Sequence, residues 1–259
     1  MSHPRTLHAL TAAVVVAAVT LGPAHLAAAA APAASAAAPA VPAVARAVPA
    51  QDLPSVDQLR SALLTAADLG PDYTEAPSSE SPGPEENPTP VSGCDALSAL
   101  INMRTGQNGP ATPHAEVELD GPDGNPMVTQ SLTAEDPAKL TSDFNTVSDA
   151  LKSCHSITFN AGTEDTVTFT VSPVALGDRQ DAPAVRLDGT LAGVQLNAFV
   201  GIERFGDVGM AFGFFQRQGA DSQLASLQYR TAVAKVERTL GVAAGSTAPA
   251  TASPTGSVV

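Results

Sequence analysis

The side chains able to act as bases, nucleophiles or metal ligands are few, and they are scattered along the chain. Beyond residue 30 there are two histidines, His114 and His155, and the only two cysteines are Cys94 and Cys154. His155 follows Cys154 directly, which would make a thiolate–imidazole pair if that sulfur were free. Neither histidine has a second ligand at metal-site spacing, so both read as surface or helix-end residues. A Ser/His/acid triad leaves no spacing signal because its members converge only in space. Neither G-x-S-x-G nor H-E-x-x-H occurs. Asp120, Asp123 and Asn125 carry oxygen ligands, but not at the alternating positions of a calcium loop, and Pro122 and Pro126 interrupt them. They read as a hairpin turn. Gly106 to Gly109 lacks the strand and lysine of a phosphate-binding loop. The expectation is therefore no catalytic residue, no metal and no cofactor.

The cysteines carry a different argument. Two cysteines permit one intramolecular pairing, and an exported chain meets an oxidising compartment. A disulfide between Cys94 and Cys154 is expected. The alternative is two free buried thiols; no C-x-x-C is present to support redox work. One polar set could orient a ligand. Arg186, Gln195 and Asn197, with Gly201, Gly209, Ala211 and Gly213, lie opposite apolar stripes on successive strand-like segments. Small residues admit close approach, and guanidinium and amide groups would supply orienting hydrogen bonds. The competing reading is a solvated sheet face with glycines at twists or bulges.

These residues need elements to place them. Ser55 is a candidate N-cap for a helix with Val56, Leu59 and Leu63 on one side. Thr65 to Asp68 resembles a capping box, with Asp in place of Glu or Gln. Residues 77–93 hold five prolines and three glutamates and read as a mobile loop, too poor in apolar groups to offset its ordering entropy. A short helix is expected after Cys94. Residues 115–119 and 127–132 alternate around a turn-rich 120–126, as a hairpin does. Asp136 caps the next helix with Pro137 at its first position. There Leu140, Phe144, Val147, Leu151 and Cys154 form one stripe, so the Cys154 thiol points toward the core. Strands follow at 157–159, 166–173, 185–191, 194–202 and 208–214, linked by short turns. A last helix over 220–240 presents Tyr229, Val233, Val236 and Leu240, and Gly241 stops it. The fold class expected is α+β: an antiparallel β-sheet meander with helices packed on one face and one disulfide.

Composition sets compartment and partners. Residues 1–30 read as a secretory signal peptide, with Arg5, an apolar run over 9–21 and several A-x-A sites. An uncleaved anchor is the competing reading, but the run falls short of the roughly 20 apolar residues that span a bilayer. No cysteine follows it to take a lipid. Residues 31–54 form an Ala/Pro-rich linker, 55–242 one domain and 243–259 a disordered tail. The net charge of −13 repels phosphate backbones, so nucleic acid is not an expected partner.

The segments Leu63-Leu-Thr-Ala-Ala-Asp-Leu69, Gly93-Cys94, Val128-Thr-Gln-Ser-Leu132 and Ala150-Leu-Lys-Ser-Cys154 resemble the PknH-like extracellular sensor domains and related actinobacterial exported cell-envelope lipoproteins. The resemblance covers roughly residues 59–240. It implies an antiparallel sheet with helices, a disulfide at the long helix and a cleft for an unidentified ligand. The chain departs from the family in lacking a kinase or membrane-spanning segment, and in having cysteines for one disulfide where sensor domains often carry two. The function expected is a secreted, non-enzymatic ligand-binding or sensor-like domain. Its partner would be a small molecule or an envelope component, and its location extracellular or wall-associated. A secreted hydrolase with a dispersed site and a wall-associated interaction protein are the alternatives.

Overall fold

The structure, a computed structural model, describes residues 53–76, 91–94, 112–160 and 166–247. The expected signal segment, nearly all of the linker, residues 77–90 of the Pro/Glu loop, the helix expected after Cys94 and the residues from 248 onward lie outside them.

Local sequence chemistry sets the helix ends. Helix α1 (Val56–Ala62) starts at Ser55. The Ser55 hydroxyl accepts from the Gln58 N–H, and the Gln58 side chain accepts from the Ser55 N–H, a reciprocal capping box. Helix α2 (Ala66–Leu69) is one turn, with the Thr65 N–H donating to Asp68 Oδ2 at 2.8 Å. Helix α3 (Pro137–Ser153) starts at Asp136, whose carboxylate accepts from the Ala138 and Lys139 N–H groups. Helix α4 (Ser222–Leu240) starts at Asp221 and ends at Gly241, which adopts φ +69° as a left-handed cap.

Nine strands form one sheet: β1 (Thr74–Glu75), β2 (Val91–Ser92), β3 (His114–Asp120), β4 (Met127–Ala134), β5 (Ser156–Asn160), β6 (Thr166–Pro173), β7 (Ala184–Leu191), β8 (Val194–Phe205) and β9 (Val208–Arg217). Their order is β1-β3-β4-β9-β8-β7-β6-β5-β2, and every pair is antiparallel. The meander expected from the short turns holds from β5 to β9. It then closes onto the β3–β4 hairpin, because β9 pairs with β4 (Phe212 opposite Gln130). Val91–Ser92, expected within the loop, is instead an edge strand against Thr158 and Phe159.

Helices cover both faces of the sheet, not one as the sequence suggested. The reason lies in β8 and β9, whose apolar residues point both ways. Phe199 and Phe205 of β8 and Val208, Met210, Phe212 and Phe214 of β9 pack with Leu59 of α1 and Tyr229, Ala232 and Val236 of α4. The alternate residues Ala198, Ile202, Ala211 and Phe215 pack with Leu140, Val147 and Leu151 of α3. Strands buried on both faces lose the apolar/polar alternation. The α4 face is covered over β3, β4, β9 and β8. The α3 face is apolar from β5 to β9, through Ile157, Phe169, Val171, Val185 and Leu187.

Two fastenings hold the ends. Cys94 and Cys154 form the expected disulfide, with Cα atoms 5.6 Å apart. It joins the chain just after β2 to the C-terminal end of α3. At the end of β8, in the middle of the sheet, Ser246 bridges Phe205 in parallel, and Arg179 Nη1 donates to the Ala244 carbonyl at 3.0 Å. The segment expected as tail from 243 therefore makes contacts through Ser246.

Candidate functional site

Because the helices on each face cover different parts of the sheet, two polar areas remain. The first lies on the α4 face over β5 to β8. Antiparallel register places Arg186 opposite Phe199, Asp188 opposite Asn197 and Thr190 opposite Gln195. It also places Ser172 opposite Arg186, Thr170 opposite Asp188 and Thr158 opposite Thr168. Arg186, Gln195 and Asn197, singled out from the sequence, thus share one face of two paired strands. Thr166, Thr168, Thr170 and Ser172 are exposed beside them, and the Thr158 and Thr168 hydroxyls are 2.8 Å apart.

The central side chain here is fixed in place. Nε and Nη2 of Arg186 both donate to Asp188 Oδ1, at 2.9 and 2.7 Å, and the guanidinium lies 5.8 Å from the centroid of the Phe199 ring. Ion pairing and a cation–π contact hold the cation while each partner side chain stays 35 % exposed. Asn197 is buried and donates to the Gly219 carbonyl just before α4. Gln195 reaches the Asn197 side chain at 3.5 Å. Asn197 therefore serves the α4 connection, and Arg186 and Gln195 present the open polar surface.

The small residues of the sequence-based set separate. Gly201 is on this face, but Tyr229 of α4 fills its space: a Cβ there would lie 2.9 Å from the ring. Gly209, Ala211 and Gly213 alternate with Met210 and Phe212 and face α3 instead. A single groove lined by all seven residues does not form.

The second polar area is on the α3 face of β3 and β4. His114 and Glu116 of β3 face Thr133 and Ser131 of β4. His114 Nδ1 is 3.0 Å from Thr133 Oγ1, and Nε2 is 3.4 Å from Glu116 Oε2. The His114 hydrogen bond holds the Glu116 carboxyl below its ordinary value, against burial. An imidazole between an acid and a hydroxyl has the connectivity of a hydrolase, but Thr133 is only 1 % exposed, which leaves its oxygen no open side for attack. His155 lies exposed just past α3. Among the described residues no group of three or more His, Cys, Asp and Glu gathers as a metal site.

At the end of this row sits a cluster that the sequence reading missed. Glu135 follows β4, and Lys139 Nζ lies 3.0 Å from its Oε1 and 2.7 Å from Asp143 Oδ2. The Glu135 side chain is 2 % exposed, and its Oε2 is buried without a donor. Burial, opposed by Lys139 and reinforced by the neighbouring Asp143, pushes the Glu135 carboxyl up to about 7. The available signal was the i, i+4, i+8 spacing of Glu135, Lys139 and Asp143 across a helix start. A third group, Glu203, is buried on the α4 face with Arg179 Nε 3.4 Å from its Oε2, and burial raises its carboxyl too.

This architecture, an antiparallel sheet with helices on both faces and a disulfide at the long helix, defines an α+β class. No family model matches the chain, and no curated protein does. Among solved structures the fold is similar to the extracellular domain of PknH from Mycobacterium tuberculosis. The TM-score is 0.52 at 14 % identity, over 72 % of this chain and 98 % of that one. At that identity the likeness establishes a PknH-like fold. Among the described residues no helix is long and apolar enough to cross a membrane.

Proposed function

We propose that the chain is a secreted, non-enzymatic, sensor-like domain of the cell envelope, and that it binds its ligand on the polar sheet face around Arg186. One observation carries the reading. In a fold shared with an extracellular domain, an arginine is locked by Asp188 and Phe199 yet stays open to solvent beside a row of exposed hydroxyls. A fixed guanidinium loses little freedom on binding, so the site is preorganised for a polar small molecule or envelope component. The disulfide fits an oxidising location. The hydrolase alternative would need His114 or His155 beside an accessible hydroxyl; the hydroxyl that hydrogen-bonds His114, that of Thr133, is buried, and His155 lies exposed past α3.

The test uses affinity capture. Immobilised domain is incubated with a soluble envelope extract, and retained small molecules are identified by mass spectrometry. Wild type should retain species that an Arg186→Ala, Gln195→Ala variant loses. Equal retention by both proteins would move the site elsewhere, and retention of nothing would count against a binding function.

A further inference from the structure

The cluster below the N-terminal end of α3 has no part in the Arg186 surface, and its geometry points to a separate device. Helix α3 is held covalently at its C-terminal end, through Cys154. Its N-terminal end is held by two polar ties. One is Arg204 of β8, whose Nη1 donates to Thr141 Oγ1 at 2.5 Å and Nη2 to the Pro137 carbonyl at 3.3 Å, while Nε is engaged by the Gly206 carbonyl. The other is the carboxyl pair Glu135 and Asp143 with Lys139 between them. Glu135 is fixed to the sheet side, since its N–H donates to the Asp207 carbonyl at 2.9 Å. Lys139 and Asp143 belong to the first turns of the helix.

We propose that Glu135, Lys139 and Asp143 form a proton-operated latch, which holds the N-terminal end of α3 to the sheet in acid and loosens it as the pH rises to neutral. Two carboxyl groups share one ammonium in a site where Glu135 Oε2 has no donor. With one proton on the pair, Glu135 hydrogen-bonds Asp143, and Asp143 forms the ion pair with Lys139. Without that proton two anions face one cation, and Glu135 must carry a buried charge. Among the described residues, the charged groups beside the site are Asp136, next in sequence to Glu135, Asp207, whose backbone carbonyl accepts from the Glu135 N–H, and Arg204, whose guanidinium reaches Thr141 and the Pro137 carbonyl. Asp136 is committed to capping α3. Arg204 stays charged throughout, so it restrains the helix while the latch opens.

The sign follows from linkage. Glu135 holds its proton more tightly in the latched state (about 7) than free in solution (4.5). Stability from the latch is full below the free value and falls as the pH climbs toward the latched value. The opening constant should rise up to about tenfold per pH unit across that window and level off above it.

Hydrogen-exchange protection of the amides of residues 140–147, corrected for intrinsic rates, reads this directly, with α4 as internal control. Wild type should lose protection with rising pH and then plateau near neutrality. Glu135→Gln should abolish the slope. Asp143→Asn should move the plateau to lower pH, because the Asp143 charge helps raise the Glu135 carboxyl. Carbon-13 titration of the Glu135 carboxyl in wild type gives an independent answer if the glutamine variant does not fold. Flat wild-type protection, an unchanged slope in Glu135→Gln, or a Glu135 inflection at the ordinary glutamate value would each overturn the latch.

Discussion

Reducing the disulfide should cost the domain several kcal/mol and free one sheet edge first. The bond closes a separation of 60 residues, which on the chain-entropy model stabilises by about 4 kcal/mol. For a domain of this size a kcal/mol moves Tm by roughly 2–4 °C, so reduction should lower Tm by roughly 8–16 °C. The position of the bond adds a local expectation. Strand β2 is only Val91–Ser92, held by two residue pairs to β5, and Cys94 lies two residues beyond it. The enclosed loop runs through β3, β4 and α3 before returning to β5, so the bond ties segments that are adjacent in the sheet but distant in sequence. Without it, the hold on β2 among the described residues is its two pairs with β5. The assay is a circular-dichroism melt with and without reductant, with free thiols counted, and with hydrogen exchange followed at residues 91–94 and 156–159. Protection at β2 should vanish below the global Tm. An unchanged Tm with two thiols counted per chain would refute the reasoning.

Gly201→Ala should destabilise by about 1–3 kcal/mol in urea melts, since its Cβ would meet the Tyr229 ring at 2.9 Å and Leu176 at 3.2 Å. Tyr229→Phe keeps the ring and loses one hydrogen bond to the Ile202 carbonyl, so it should cost only about 1 kcal/mol. Both tyrosines titrate above their ordinary value. Burial raises Tyr73, partly offset by its bond to Gln228, and raises Tyr229 further, with Glu203 adding to it. The tyrosinate absorbance at 295 nm should therefore rise at higher pH than for a free tyrosine; both tyrosines ionising at the ordinary value would contradict the packing. Burial of Asp68 is outweighed by hydrogen bonds from Lys235 and Thr65, which lower its carboxyl below 3.8. Asp68→Asn should lower the urea midpoint near neutral pH. That deficit should shrink as the pH falls through the lowered value of Asp68, where wild type loses the same stabilisation.

The elements were legible wherever one period dominated. The capping residues Ser55, Asp136 and Gly241 and the alternation of Thr166–Pro173 mark helices and a strand where they occur. The two-sided cover was less so. The run Val-Gly-Met-Ala-Phe-Gly-Phe-Phe, 208–215, carries apolar residues on both parities, and that is the mark of a strand buried on both faces. Reading it as one apolar stripe put all the helices on one side and joined Gly209, Ala211 and Gly213 to the wrong surface. Strand order was not readable, because pairing of β9 with β4 depends on contacts across some 80 residues of chain. Of the site, Arg186, Gln195 and Asn197 did fall on one face, since alternation within paired strands carries that information. Glu135 left only its i, i+4, i+8 spacing with Lys139 and Asp143 in the sequence; what raises its carboxyl is burial, and burial belongs to the fold.

The most direct test of the account is where a ligand lands. Amide chemical shifts of the nitrogen-15-labelled domain should be followed while a soluble envelope extract is titrated in. Perturbations should appear on the α4 face at residues 166–172, 186–190 and 195–197, and be absent in Arg186→Ala. Perturbations confined to the α3 face around His114 and Ser131, or a pattern unchanged by Arg186→Ala, would contradict it.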